Sequence, residues 1–249
     1  MRRLFGTCLF LLCFLPALTL AKVDITGLTL EEAKNHHQLN IDMEDEKVKD
    51  LLEQLVMVPL ENDYNHEEVA GMVSRLGHIH PTILHDLVIN NVKIKLFSGK
   101  LTDEPYFADL KGISPRGWSS HKTWDQVPGA GGTYIAAAKI GASEPGNGHG
   151  SINLELHEIA HSVERTVYKG LRNNDEFLEI WKEEVPVIFP DDPYFNSYPE
   201  EYFAEVFAMY YLNEDTNIEV QLKAPKTYEY IQSLEKKRKD FKINIVTMR

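Results

Sequence analysis

An α+β chain with a predominantly helical C-terminal part is what this sequence predicts, on three observations. Apolar residues recur at helical spacing in "EDEKVKDLLEQLVM", where Val48, Leu51, Leu52, Leu55 and Val56 share one stripe. Alternation takes over in "VKIKLF", with Val92, Ile94 and Leu96 set against Lys93 and Lys95, and "TYIAAAKIG" reads as a second strand. Beyond residue 150 the patterns are almost wholly helical.

Taken in order, the chain opens with Arg2 and Arg3 before the apolar run "LFGTCLFLLCFLPAL", which is short for a membrane span, and small residues follow at "TLA". Residues 1–21 are expected to be a cleaved secretory signal, with an uncleaved anchor as the competing reading. No lipoprotein box surrounds Cys8 or Cys13, and these are the two cysteines of the chain. A mature protein without disulfides has to rely on its core, with or without a metal. Removing the leader takes Arg2 and Arg3 with it and leaves 24 basic against 38 acidic side chains, a formal charge of −14. Such acidity argues against nucleic acid as a partner. With 43% hydrophobic and 26% charged residues the chain can bury a core, and with no repeat or linker it reads as a single domain over 22–249, a monomer with no stable membrane partner.

The part from 22 to 90 is expected to be mainly helical. Thr29 and Glu32 in "TLEEA" spell a capping box, the stripe from Val48 to Val56 follows, and short helices are expected near 66–76 and 80–90. The strand at 92–97 should be half-buried. Residues 111–132, rich in Gly, Pro and Trp, should form an ordered loop before the strand at 133–141. The glycine-rich "GASEPGNGHG" then turns the chain into a helix through "NLELHEIAHSVERT", and further helices are expected at 174–185, 199–213 and 225–240.

The chemistry is concentrated in "HEIAH". His157 and His161 are four apart, so on a helix they project from one side a turn apart and can share a zinc ion, with Glu158 turned to take a proton from a water. Leu156, Ile159, Ala160 and Val163 supply the face that packs the helix down. A catalytic site needs a third protein ligand. Forty residues on, Pro199 starts a helix well, and Glu201 and Glu205 fall on one face of it; either could complete a two-His, one-Glu site. Phe203, Phe207 and Tyr211 read as core. His149 reads as a loop or packing residue, and His36, His37, His66, His78, His80, His85 and His121 lack a ligand pattern.

"HEIAH", "EEYFAEVFAMYYL", "KGISPRGW" and "TWDQVPGAGG", in their order along the chain, resemble the zinc peptidase domain of the anthrax toxin lethal factor family, which includes the small secreted Pro-Pro endopeptidases. The likeness spans roughly residues 92–230. It implies a zincin-like fold with a small mixed sheet and an edge strand for substrate. It also implies one Zn2+ held by His157, His161 and Glu201, with Glu205 holding a histidine from behind and Glu158 as the base. Tyr194, seven residues before Glu201, is implied as the oxyanion donor, with Tyr198 its competitor.

The strand at 133–141 is expected at the sheet edge, where Ala136, Ala137 and Ala138 leave room for an extended substrate; Trp118 and Trp124 either line the cleft or are buried against the Gly/Pro-rich loop. The resemblance implies a secreted zinc metalloendopeptidase acting on extended, proline-rich segments. The alternative is a non-catalytic secreted binding domain of the same family, which should lack the catalytic constellation.

Overall fold

The computed structural model describes residues 25–115 and 122–246. The expected leader, Trp118 and His121 lie outside the described residues.

The N-terminal part alternates short strands with helices: β1 (Leu28–Thr29), α1 (Leu30–His37), α2 (Glu46–Leu55), β2 (Val56–Val58), α3 (His66–Leu76) and α4 (Pro81–Ile89). The Thr29–Glu32 capping box forms at the start of α1, and Asp45 and Asn65 cap α2 and α3. Helix α2 stops at Leu55 rather than running through Met57. Val56 is already extended, and Val56 and Val58 are fully buried in the sheet, a setting that suits β-branched side chains.

Strand β3 (Lys93–Phe97) leads through 3-10 turns to β4 (Gly129–Ala130) and β5 (Ile135–Lys139). The sheet order is β1-β2-β3-β5-β4, with β2, β3 and β5 parallel and the two outer strands antiparallel to their neighbours. This is a mixed sheet, but its edge differs from the expected one. Ala137 pairs with Lys95 on one side and Ala130 on the other, and Ala138 pairs with Leu96 and Gly129, so β5 is internal and β4 is the edge. The two-residue "GA" strand carries no alternation from which it could be read.

The expected half-burial of β3 is also corrected. Ile94, Leu96, Ala136 and Ala138 belong to the main core, while Phe97, Ile135 and Ala137 pack with Leu101 and Phe107 in a second cluster on the opposite face. Lys95 is buried on that face, where its ammonium donates to the Thr26 carbonyl at 2.7 Å and lies 3.7 Å from Glu104. The Lys93 ammonium donates to the Gln54 carbonyl. The buried Lys95 ammonium is retained because it has such acceptors.

The C-terminal part contains α5 (Leu154–Ser162), a π turn at Val163–Val167, α6 (Asp175–Ile188), α7 (Pro193–Ser197), α8 (Pro199–Leu212), α9 (Glu214–Lys223) and α10 (Pro225–Val246). Helix α5 packs between β5 and α8, which makes it the centre of the molecule. Ile159, Phe203 and Phe207 are fully buried and Tyr211 nearly so, as core residues should be. No helix among the described residues is long and apolar enough to cross a membrane.

Candidate active site

The N-terminus of α5 is pinned before any chemistry begins. Asn153 caps it by accepting the Leu156 N–H at 3.0 Å, and buried Glu155 accepts from Arg75 Nε at 2.6 Å, while Arg75 Nη2 also reaches Ser143 at 2.8 Å. A helix held in this way fixes the azimuth of the side chains one and two turns on.

His157 and His161 then meet with ring centroids 4.8 Å apart and their Nε2 atoms 3.1 Å apart. Pro199 starts α8, and Glu201 in its first turn brings Oε2 to 3.4 Å from His157 Nε2 and 3.3 Å from His161 Nε2. These three residues form a group able to hold a metal ion, with their donor atoms within 4.8 Å of one another.

Glu205, one helical turn further, lies behind the group. Its Oε2 is 2.9 Å from His157 Nδ1 and its Oε1 accepts the Ile152 N–H at 2.7 Å. With Nδ1–H donated to Glu205, the neutral form of His157 carries its lone pair on Nε2, facing Glu201 and His161. The two glutamates that spacing alone left equivalent are thus separated by geometry.

Burial pulls the His157 imidazolium down, but hydrogen bonds to Glu201 and Glu205 overcome this and push it up to about 10. Burial acts to raise the Glu201 carboxyl, yet the two imidazoles hold it far below the usual carboxylate range. Glu158 is pushed up by loss of solvent, opposed by His157 and His161. A base with a raised pKa retains an abstracted proton more readily.

The group opens into a cleft of about 820 Å³ whose lining includes Trp124, Gly129, Glu158, Arg165, Arg172 and Tyr194. Strand β4 and the residues after it follow α5 in the same direction. A Cβ on Gly129 would meet Glu158 Cγ and Leu154 Cδ1 at 2.9 Å, and one on Gly131 would lie 2.0 Å from the Glu158 carbonyl oxygen. Gly132 donates to Ser162 Oγ at 3.2 Å. Glycine is needed at 129 and 131 for close approach alone.

Ala136, Ala137 and Ala138, expected to bind substrate, are at most 2% exposed. Ala137 and Ala138 pair with strands on both sides, so the expectation for this trio is corrected in favour of the β4 edge. Tyr194, on α7, lines the cleft, whereas Tyr198 is not among its lining residues; their rings are 5.3 Å apart. His149 lines the cleft and also bonds the Ala142 carbonyl at 2.6 Å, a packing role. Trp124 both lines the cleft and packs on the second cluster.

A cross-brace went unread in the sequence. Arg172 Nη2 donates to Glu164 Oε2 at 2.8 Å and Nη1 to Glu200 Oε1 at 3.3 Å, joining the turn after His161 to the residue before Glu201. Glu200 is thus an ion-pair partner at the cleft. Its 28-residue separation from Arg172 leaves no local signal.

An HExxH helix, a glutamate from a second helix and a short edge strand alongside define a metallopeptidase of the zincin-like class. The family profile for the anthrax toxin lethal factor N- and C-terminal domain matches residues 41–234. The chain is 47% identical over 189 residues to a Pro-Pro endopeptidase of Clostridioides difficile (strain 630), covering 76% of this chain and 84% of that protein. It is 43% identical over 185 residues to a Pro-Pro endopeptidase of Paenibacillus alvei, covering 74% and 84%. The solved structure of the Pro-Pro endopeptidase from Paenibacillus alvei superposes with a TM-score of 0.70 at 43% identity, over 74% of this chain and 99% of that one. The chain belongs to the anthrax toxin lethal factor family.

Proposed function

We propose that this protein is a secreted zinc metalloendopeptidase that cleaves extended peptide segments containing adjacent prolines. The observation that carries the reading is the convergence of His157, His161 and Glu201 beside Glu158 under an edge strand. The substrate class is taken from the Pro-Pro endopeptidase relatives, and export from the leader-like residues 1–21 preceding a single domain.

The donor set fits zinc. Ligands about 2.0–2.1 Å from a tetrahedral zinc lie about 3.3 Å from one another. The three pairwise separations here are 3.1, 3.3 and 3.4 Å. Two imidazoles and one carboxylate also leave a fourth position open, as catalytic zinc sites do. Bound zinc would supply Lewis acidity toward water and the scissile carbonyl.

The remaining steps belong to the chain. Glu158 takes the proton of the attacking water and delivers it to the leaving amine. Glu205 fixes the His157 tautomer and ring plane. Tyr194 donates its hydroxyl to the oxyanion that develops on the substrate carbonyl. The free edge of β4 receives the peptide as an added strand, which brings the scissile bond over Glu158. A binding module would have no use for a base in this position, so retention of Glu158 favours hydrolysis.

Mass spectrometry of a proline-rich peptide library incubated with residues 22–249, zinc-loaded and then chelated, tests this. Cleavage beside proline that chelation abolishes is the expected result. Cleavage that survives complete metal removal, or none with zinc bound, would contradict it.

A further inference from the structure

The cleft wall carries a cation with no partner among the described residues. Arg172 is held by Glu164 and Glu200, but Arg165, exposed on the π turn, makes no hydrogen bond or ion pair with the described residues. In a chain with 38 acidic against 26 basic side chains, an arginine at a cleft wall would ordinarily have found a carboxylate. The nearby candidates are committed elsewhere. Glu200 pairs with Arg172, Glu201 lies against the imidazoles, and Asp192 caps α7 by accepting from Tyr194 N at 2.8 Å and Phe195 N at 3.3 Å.

Position adds to charge. Leu154, Glu158, His161 and Arg165 all line the cleft, and the chain from Gly129 to Gly132 runs alongside α5 in the same direction. A peptide paired with β4 therefore runs along α5 too. Four residues past His161 is about 6 Å along a helix axis, and that is about two residues of extended chain. π turns inside helices recur at functional sites because they re-aim a side chain.

We propose that Arg165 is a specificity-determining residue that engages a carboxylate on the substrate about two residues from the scissile bond, at the end of the cleft toward which α5 runs. The guanidinium fork matches a carboxylate in a two-point contact, and an unpaired cation in a cleft concentrates anionic segments there. The inference rests on the peptidase reading of this cleft and adds an acidic requirement to it.

The test uses zinc-loaded wild type, Arg165→Gln and Arg165→Glu with peptides bearing Asp, Asn or Lys at each of three positions on either side of a cleaved bond. Wild type should prefer Asp over Asn at one position by about 2- to 5-fold, expressed in KM, and lose the preference in high salt. Arg165→Gln should level the three peptides, and Arg165→Glu should turn the preference to Lys at the same zinc content. A wild type that cleaves all three with equal KM, or an Arg165→Glu that still prefers Asp, overturns this inference and leaves the peptidase reading standing. A zinc-loaded wild type that cleaves none of them overturns both.

Discussion

His157 Nδ1 lies 2.9 Å from Glu205 Oε2, and the other oxygen of that carboxylate accepts the backbone N–H of Ile152 at 2.7 Å. Glu205 thereby ties α8 to the loop entering α5 and fixes which imidazole nitrogen faces Glu201. Glu205→Gln keeps the shape but weakens this hold, and zinc affinity should fall by about 10- to 100-fold. Competition with a chromophoric chelator measures it; an unchanged affinity would remove Glu205 from the site.

The metal-free protein should carry a proton that zinc displaces. His157 is held protonated up to about 10 against an ordinary 6.5. Zinc uptake at pH 7.5 in weak buffer should therefore release about one proton or more from this site. Without metal, the same group adds stability that is complete below pH 6.5 and lost as pH rises through about 10. Glu201, held below its ordinary 4.5, contributes in the opposite sense, fully above that value and progressively less on acidification. The Tm gap between metal-free wild type and metal-free His157→Gln should thus narrow from pH 6.5 to 10. Zinc binding with no proton release would contradict the pairing.

Arg172→Met should take the guanidinium away from two buried carboxylates, Glu164 and Glu200. Breaking a buried pair typically costs about 3–5 kcal/mol, and the lower end applies because the arginine side chain is 32% exposed. Urea unfolding of the zinc-free protein reads this directly. Adding Glu164→Gln and Glu200→Gln should recover much of the loss, whereas a triple variant no better than Arg172→Met would show that charge is not the cause.

Tyr194→Phe should slow turnover by about 100-fold with zinc retained, as removal of one oxyanion donor does. Tyr198→Phe should change kcat far less, since Tyr198 does not line the cleft. Equal losses in both would assign the effect to packing of the paired rings.

Elements whose local pattern matched their surroundings were legible in the sequence. The Thr29–Glu32 box, the i, i+4 histidines and the Pro199 helix start all depend on contacts within one turn. Val56 misled because it continues the apolar stripe of α2 while being drawn into the sheet. Helix α9 went unread because it buries only Val220 and exposes Ile218 and Leu222, which leaves no stripe. The Arg172 brace and the β4 edge arise only from tertiary approach, between residues 8 and 28 apart in one case and across glycines in the other. Within the site, the His157, Glu158 and His161 arrangement was readable from spacing. Spacing left Glu201 and Glu205 equivalent and the family resemblance alone separated them; in the structure Glu201 is the carboxylate within 3.4 Å of both Nε2 atoms.

Glu158→Gln, assayed for zinc content and for peptide hydrolysis side by side with wild type, tests the central claim most directly. Glu158 lines the cleft beneath Gly129 but stands outside the three-residue metal group. The variant should keep wild-type zinc and bind the peptide, while hydrolysis falls by about 100- to 10,000-fold, the range expected for loss of a positioned base. A zinc-loaded Glu158→Gln that cleaves as fast as wild type would contradict the account.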